Sequence, residues 1–516
     1  MKPIFLNQDE NGSGFLYLQL YTAIKKEILS GEMQADEKLP SLRSLASDLG
    51  ISITTVELAY NQLLVEGYIY SRPRSGYRVS KISSANITKT SSGQNPAPSE
   101  SFFAEACVSS EKTATAASLP KASGAGNVST SSTHSSSSSN TSFIYDINDF
   151  SFEEPPYLYD VSCFDFTKWK KCSARVFNDY ARLLLFESDP QGEPALRFEI
   201  SKYIYHSRGV TADPEQIVIG AGTQQITSHL SRILSKLGIH LVSLEAPGYL
   251  PVQSMFRDAG FTISHIPVSK EGIEIDKLPA NIPSAVYVNP SNQFPTGAVM
   301  PAGRRYELLE WAQKNNSVII EDDYDSELRY FGKPIPALQG LDEHDCVVYL
   351  GSFSSTLFPA VKISYMVLPE SMAEIFRSIK HQYTQTCSKS EQLTLAFFME
   401  DGYYYTGIRK LRSLYAQKLQ AALQAFTFYG KDFITPIDTH SGINLTVKVR
   451  SHKKAQTLCE EAKDLGLQMV PLSEITDQQT TALIFYYSQL PLNQVDTLIA
   501  RLTEIWRENA DDFFRK

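Results

Sequence analysis

Along the first eighty residues, apolar side chains recur at helical spacing. Leu16, Leu20, Ile24 and Ile28 share one face of a segment that Gly31 can stop. A second helix fits 42–49, opened by Pro40 and Ser41 and closed by Gly50. A third begins after Ser52, carries Val56, Ala59, Tyr60, Leu63 and Leu64 on one face, and ends at Gly67. Helix, short glycine turn, helix is the helix-turn-helix outline. The β-favouring runs 68–70 and 77–79 then flank SRPRSG (71–76), which predicts a hairpin with a basic tip, a wing.

The pattern stops at about Ser83. From 83 to 142 Ser, Thr, Ala, Gly and Asn dominate, with a serine run at 135–139. Such a segment cannot bury enough apolar surface to offset the entropy of ordering it, so it reads as a flexible linker. Beyond it, from 143 to 516, short β-branched runs (216–220, 241–245, 284–289, 318–322, 347–351 and 364–368) alternate with helix-length amphipathic segments. That alternation implies βαβ units: an α/β body with a mostly parallel sheet flanked by helices. The expected organisation is a head (1–82), a linker (83–142) and a large body (143–516).

Charge and cysteine content narrow the function. The 57 acidic and 48 basic side chains give a formal charge of −9, which argues against a generally basic nucleic-acid coat but not against DNA binding through one small module. The six cysteines form no CxxC pair and stand at no metal-ligand spacing, so neither a disulfide framework nor a structural metal is expected. The N-terminal residues carry no basic-then-apolar leader, and no stretch holds the 18 or so apolar residues that a membrane span needs. A cytoplasmic protein with no membrane partner is the expectation.

The head resembles the winged helix-turn-helix domain of GntR regulators. The strings are LYLQLYTAIKKEILSG (16–31), KLPSLRSLASDLGIS (38–52) and TTVELAYNQLLVEGYIYSRPRSGYRV (54–79). The resemblance implies that Ser41, Arg43, Ser52, Thr54 and Thr55 meet phosphates and base edges in the major groove of a double-stranded operator, with Arg72, Arg74 and Gly76 along the adjoining backbone. Hydroxyls and helix N-termini suit phosphate oxygens, and arginine pairs bidentately with guanine. Two positions depart from the family: Ile53 stands where an arginine is usual, and Glu57 where the residue is often basic or neutral.

The body resembles fold-type I, class I/II aminotransferases, so the whole chain is similar to MocR-type members of the GntR family. The matching strings are SDPQGEPALR (188–197), GAGTQQ (220–225), EAPGY (245–249), NPSNQFPTG (289–297), EDDYDSELRY (321–330) and GSFSSTLFPAVKISY (351–365). By this resemblance Gly222, Thr223, Ser352 and Lys362 hold the phosphate of pyridoxal 5'-phosphate. Asp322 pairs with the pyridinium nitrogen, Tyr249 stacks on the ring, and Tyr324 and Gln293 reach its O3′ edge. A carboxylate after an apolar strand is expensive to bury without a partner, and backbone N–H groups at a helix start suit a phosphate.

Ser355 occupies the position where the family carries its Schiff-base lysine. A serine hydroxyl cannot condense with an aldehyde to an imine, nor shuttle protons as an amine does. Lys362 stands for an arginine, keeping charge but losing the fork, and Ser364 for a glycine. The resemblance therefore implies a transcriptional regulator with no catalytic residue, a head-to-tail homodimer in which each body contacts the partner's head, and a small-molecule effector. Pyridoxal phosphate, or its adduct with an amine, would bind non-covalently or not at all. A working aminotransferase with a DNA-binding head, and a cofactor-free scaffold sensing another ligand, are the competing expectations.

Overall fold

Three helices, α1 (Leu16–Leu29), α2 (Leu42–Leu49) and α3 (Ile53–Val65), and the hairpin β1 (Ile69–Arg72) and β2 (Gly76–Val79) make the head. The computed structural model describes residues 16–72, 76–82, 160–330, 335–437, 442–472 and 480–508. The linker 83–142 and Arg74 lie outside the described residues. Ser41 caps α2 by accepting the Ser44 N–H at 3.1 Å, and Ser52 caps α3 by accepting that of Thr55 at 3.1 Å. Gly50 ends α2 in the left-handed region at φ 64°, where a side chain is disfavoured. The sequence's apolar stripes become one core: Leu20, Ile24, Val56, Ala59, Tyr60 and Leu63 are all fully buried together.

The body's helices are α4 (Phe166–Asp179), α5 (Pro194–Arg208), α6 (Thr223–Lys236), α7 (Leu250–Asp258), α8 (Ala302–Lys314), α9 (Glu370–Ile379), α10 (Lys389–Glu400), α11 (Tyr403–Tyr429), α12 (Ala455–Asp464) and α13 (Val495–Glu508). Between them an eight-stranded sheet has the order β3-β10-β9-β8-β7-β4-β5-β6. Its strands are β3 (Ile217–Gly220), β4 (Leu241–Ala246), β5 (Thr262–Ser269), β6 (Gly272–Ile273), β7 (Ala285–Val288), β8 (Val318–Asp322), β9 (Val347–Ser352) and β10 (Ser364–Val367). The central pairs are parallel, whereas β10 runs antiparallel to both β9 and β3, and β6 antiparallel to β5. Both faces are covered by apolar clusters, which is why the central strands β7, β8 and β9 read as near-continuous apolar runs, whereas β5, towards the edge, alternates.

A second sheet, antiparallel, has the order β11-β12-β14-β13 and is formed by β11 (Ile434–Ile437), β12 (Leu445–Arg450), β13 (Met469–Pro471) and β14 (Thr480–Phe485). Its own core packs against α11 and α13 around Phe426, Phe485 and Trp506. The strand runs recognised in the sequence stop at residue 368, so this layer is new.

Head and body touch. Pro301 and Ala302, at the start of α8, abut the end of α3: the Ala302 N–H donates to the Glu66 carbonyl at 2.8 Å, and Ala302 and Tyr306 pack into the head's core. Gly67, at φ 77°, allows this approach, because a Cβ there would lie 2.6 Å from the Pro301 Cβ. In this single chain the head thus rests on its own body.

Candidate functional site

The C-terminal ends of parallel strands gather polar side chains over one opening, the usual position for a ligand in such sheets. β3 leads through Gly222 into α6. With φ 83° and no heavy atom within 4 Å of where a Cβ would sit, Gly222 frees the helix N-terminus to face the opening. β7 ends beside Asn289, β8 at Asp322 and β9 at Ser352. These surround a cavity of about 580 Å³. Of the residues expected from sequence, Gly222, Thr223, Tyr249, Asp322, Tyr324, Ser352 and Lys362 line it, as does Ser355.

Gln293 is the exception. It is buried outside the lining. Its amide nitrogen donates to Glu245 Oε2 (3.2 Å) and to the carbonyls of Pro247 (2.8 Å) and Phe294 (2.6 Å), while its oxygen accepts from Thr296 Oγ1 at 2.5 Å. Its polar atoms are engaged in closing the turn, and its neighbour Phe294 lines the cavity.

Asp322 is the anionic end of the site. Its Oδ2 accepts the Tyr287 hydroxyl at 2.5 Å and its carbonyl accepts Asn289 Nδ2 at 2.8 Å. Burial pushes its carboxyl up to about 6 against these two donors. Nearby Glu245 is pushed up further, to about 8, by burial, and its Oε1 has no hydrogen-bond partner. The cationic end is Lys362, whose backbone at φ 47° sits in the left-handed region that a side chain rarely adopts. Serines stand between the two: Ser364 donates to Ser352 at 3.0 Å, and Ser355 donates to the Tyr324 carbonyl at 2.8 Å. Lys362 is the lysine among the lining residues; Lys389 instead holds the Glu187 carbonyl at 3.0 Å and lies 3.5 Å from Glu193.

The sequence reading missed Asn289, Phe294, Ile443, Asn444 and Tyr486. Asn289 follows the apolar β7 much as Asp322 ends the apolar β8, and that parallel was a usable signal. Ile443, Asn444 and Tyr486 come from the second sheet, and no local pattern points to them.

In the head, Ser41, Arg43, Ser52, Thr54, Arg72 and Gly76 are exposed, and Thr55 is half-buried with its hydroxyl 2.8 Å from that of Ser52. They cluster at the N-termini of α2 and α3 and on the wing. Ile53 and Leu58 are also about half exposed on α3.

Comparison with known proteins agrees with this division. Residues 16–79 match the gntR family of bacterial regulatory proteins, and residues 156–476 match aminotransferase class I and II. An uncharacterized HTH-type transcriptional regulator of Bacillus subtilis, YdeL, is 36% identical over 89% of each chain. The probable rhizopine catabolism regulatory protein MocR of Rhizobium meliloti is 31% identical over 89% of this chain and 86% of its own. Among solved structures, the kynurenine aminotransferase of Pyrococcus horikoshii is similar in fold over 69% of this chain and 92% of its own, with a TM-score of 0.59 at 23% identity. Both halves in one order, with these relatives spanning nearly the whole length, place the chain in the GntR family of transcriptional regulators, in the MocR-type branch that joins a winged helix-turn-helix to an aminotransferase-like body.

Proposed function

We propose that this regulator reads a phosphorylated pyridine ligand in its body without bonding to it covalently, and that the head binds an operator duplex. What carries this reading is Ser355: the lining holds a phosphate-compatible end, a ring-compatible carboxylate and a hydroxyl where an imine-forming amine would be needed.

The residues fit pyridoxal 5'-phosphate. Gly222, Thr223, Ser352 and Lys362 would hold its phosphate through helix N–H groups, hydroxyls and one cation. Asp322 would face the protonated ring nitrogen, and Tyr249 and Tyr324 would flank the ring. When bound, the group supplies an electron sink to an attached amine. This chain's residues bind and orient it, and Ser355, donating to a backbone carbonyl, moves no proton at the carbon that would react.

On the DNA side, the exposed hydroxyls and Arg43 reach phosphates and base edges, and the apolar Ile53 suits a thymine methyl. Two copies would pair head to tail, exchanging the contact that α8 makes with its own head. The decisive experiment is borohydride treatment of the protein saturated with pyridoxal phosphate. The unmodified chain should retain no cofactor after denaturation, whereas Ser355→Lys should give a new absorbance band and a reducible adduct at that residue. Trapping on the unmodified chain would overturn the non-covalent reading. No binding by either protein, in a spectroscopic titration, would favour the cofactor-free scaffold.

A further inference from the structure

The recognition helix α3 is gripped at both ends by different things. Its N-terminal end carries the exposed Ser52, Ile53 and Thr54, whereas its C-terminal end, at Glu66 and Gly67, abuts the body. At that second end the Glu66 carbonyl accepts the Ala302 N–H at 2.8 Å, and Tyr306 packs against the head's core cluster, which includes Tyr68. The Glu66 side chain is itself buried, accepting the Tyr21 hydroxyl at 2.6 Å, so the contact is tied to α1 as well.

On the body's side the chain leading to this contact starts in the ligand cavity. Asn289 lines the cavity and donates to the Asp322 carbonyl at 2.8 Å. The next residue, Pro290, opens a loop that closes on itself: the Met300 N–H donates to the Pro290 carbonyl at 2.9 Å, and Gln293 N–H to that of Ala298 at 2.9 Å. Phe294 in this loop also lines the cavity. The buried Arg305 of α8 fastens both feet of the loop, donating to the carbonyls of Pro290 (3.1 Å) and Met300 (2.9 Å), with a third bond to Pro336 at 2.5 Å. Pro301 and Ala302 follow at once and touch the head. The loop is held as a closed unit, so a displacement at Phe294 is passed to Pro301 rather than absorbed by free backbone torsions.

We propose that loop 290–300 is the element through which occupancy of the cavity reaches the head. A ligand seated against Asn289 and Phe294 favours one loop position, and that position sets whether Pro301 and Ala302 hold the C-terminal end of α3. The ligand shifts the docked and released populations of the head only by its different affinity for the two loop positions. This rests on the proposed ligand site, and the experiment separates the two.

Gly303 offers a selective way to cut the contact. A Cβ there would meet the Lys81 carbonyl of the head at 2.9 Å and nothing else within 4 Å. A larger residue at this helical position therefore repels the head while sparing α8. Amide hydrogen exchange on the full-length protein, with pyridoxal 5'-phosphate as probe, should show slowing or quickening by about threefold or more at residues 289–294 and also at 63–70. In Gly303→Leu, residues 63–70 should exchange fast with or without the probe, while 289–294 still respond. A milder Gly303→Ala should give an intermediate result. A response at 289–294 with none at 63–70 in the unmodified protein, or a head response that survives in Gly303→Leu, would overturn the coupling and leave the ligand site standing. No response at either segment would overturn the ligand site, and the coupling with it.

Discussion

The head and the body solve the problem of presenting polar groups in opposite ways. In the head, the groups proposed to face DNA lie within 36 positions of one another, from Ser41 to Gly76, and are displayed by helix starts and a hairpin. In the body, the cavity is assembled from segments between Ala221 and Tyr486, and each side chain is aimed by contacts far away in sequence. Asp322, for example, takes its hydroxyl partner from Tyr287 on the neighbouring strand. Local display leaves side chains exposed and separable; assembled display ties them to distant neighbours and buries the carboxylates among them, as the raised Asp322 and Glu245 carboxyls show. Effects of substitution should therefore be confined in the head and shared in the body.

The largest expected effect falls on the body. Arg208 and Asp323, about 1% exposed, pair at 2.7 Å, and Arg208 also donates to Ser291 at 2.6 Å. Arg208→Ala leaves a buried carboxylate without its cation, with only the Tyr349 and Ser326 hydroxyls still donating to it, and should cost ~3–5 kcal/mol in urea unfolding. The three tryptophans, Trp169, Trp311 and Trp506, all lie in the body, so their fluorescence reports that transition without the head.

Arg43→Ala tests the other side. Operator affinity in a footprinting titration should fall by roughly 1–3 kcal/mol with pyridoxal phosphate affinity unchanged; a loss of both would end the claim that the head's contacts are separable.

Asp322 gives opposite signs for ligand and fold. Its carboxyl is raised to about 6, so its protonation stabilises the ligand-free body at low pH, fully below its unfolded value, and that contribution is lost as pH rises through 6. The anion is what a protonated ring needs, so ligand affinity should instead fall as pH drops, by about tenfold one unit below that value. Asp322→Asn should abolish both trends, which titrations and melting curves across pH 5–8 would show.

The smallest effect is Ser52→Ala. Loss of the α3 cap should cost ~1 kcal/mol of head stability and weaken operator binding without touching the tryptophan transition.

The same contrast explains what could be read beforehand. α2 matches its expected bounds because its cap serine and closing glycine are local chemistry. β8 also matches, since a buried parallel strand is a bounded apolar run. The second sheet escaped because β11 and β13 are only four and three residues long and each carries a proline, and Ile443, Asn444 and Tyr486 enter the cavity only through the tertiary path of β12 and β14. Gln293 shows the converse. Its place in a string beside the cavity suggests a ligand contact, but proximity in sequence does not say which way an amide points, and here it points into the turn it closes. The contact between Glu66 and Ala302 was equally unreadable, as it joins residues 236 positions apart.

The order of the large sheet has a consequence for synthesis. β3, the first of its strands to leave the ribosome, sits at one edge beside β10, and its partner Ser364–Val367 emerges almost 150 residues later. Until then both β3 and β9 present unpaired backbone edges. A nascent or truncated body ending before Ser364 thus offers edges that another chain's strand can add to, until that one antiparallel strand arrives to join β3 to β9.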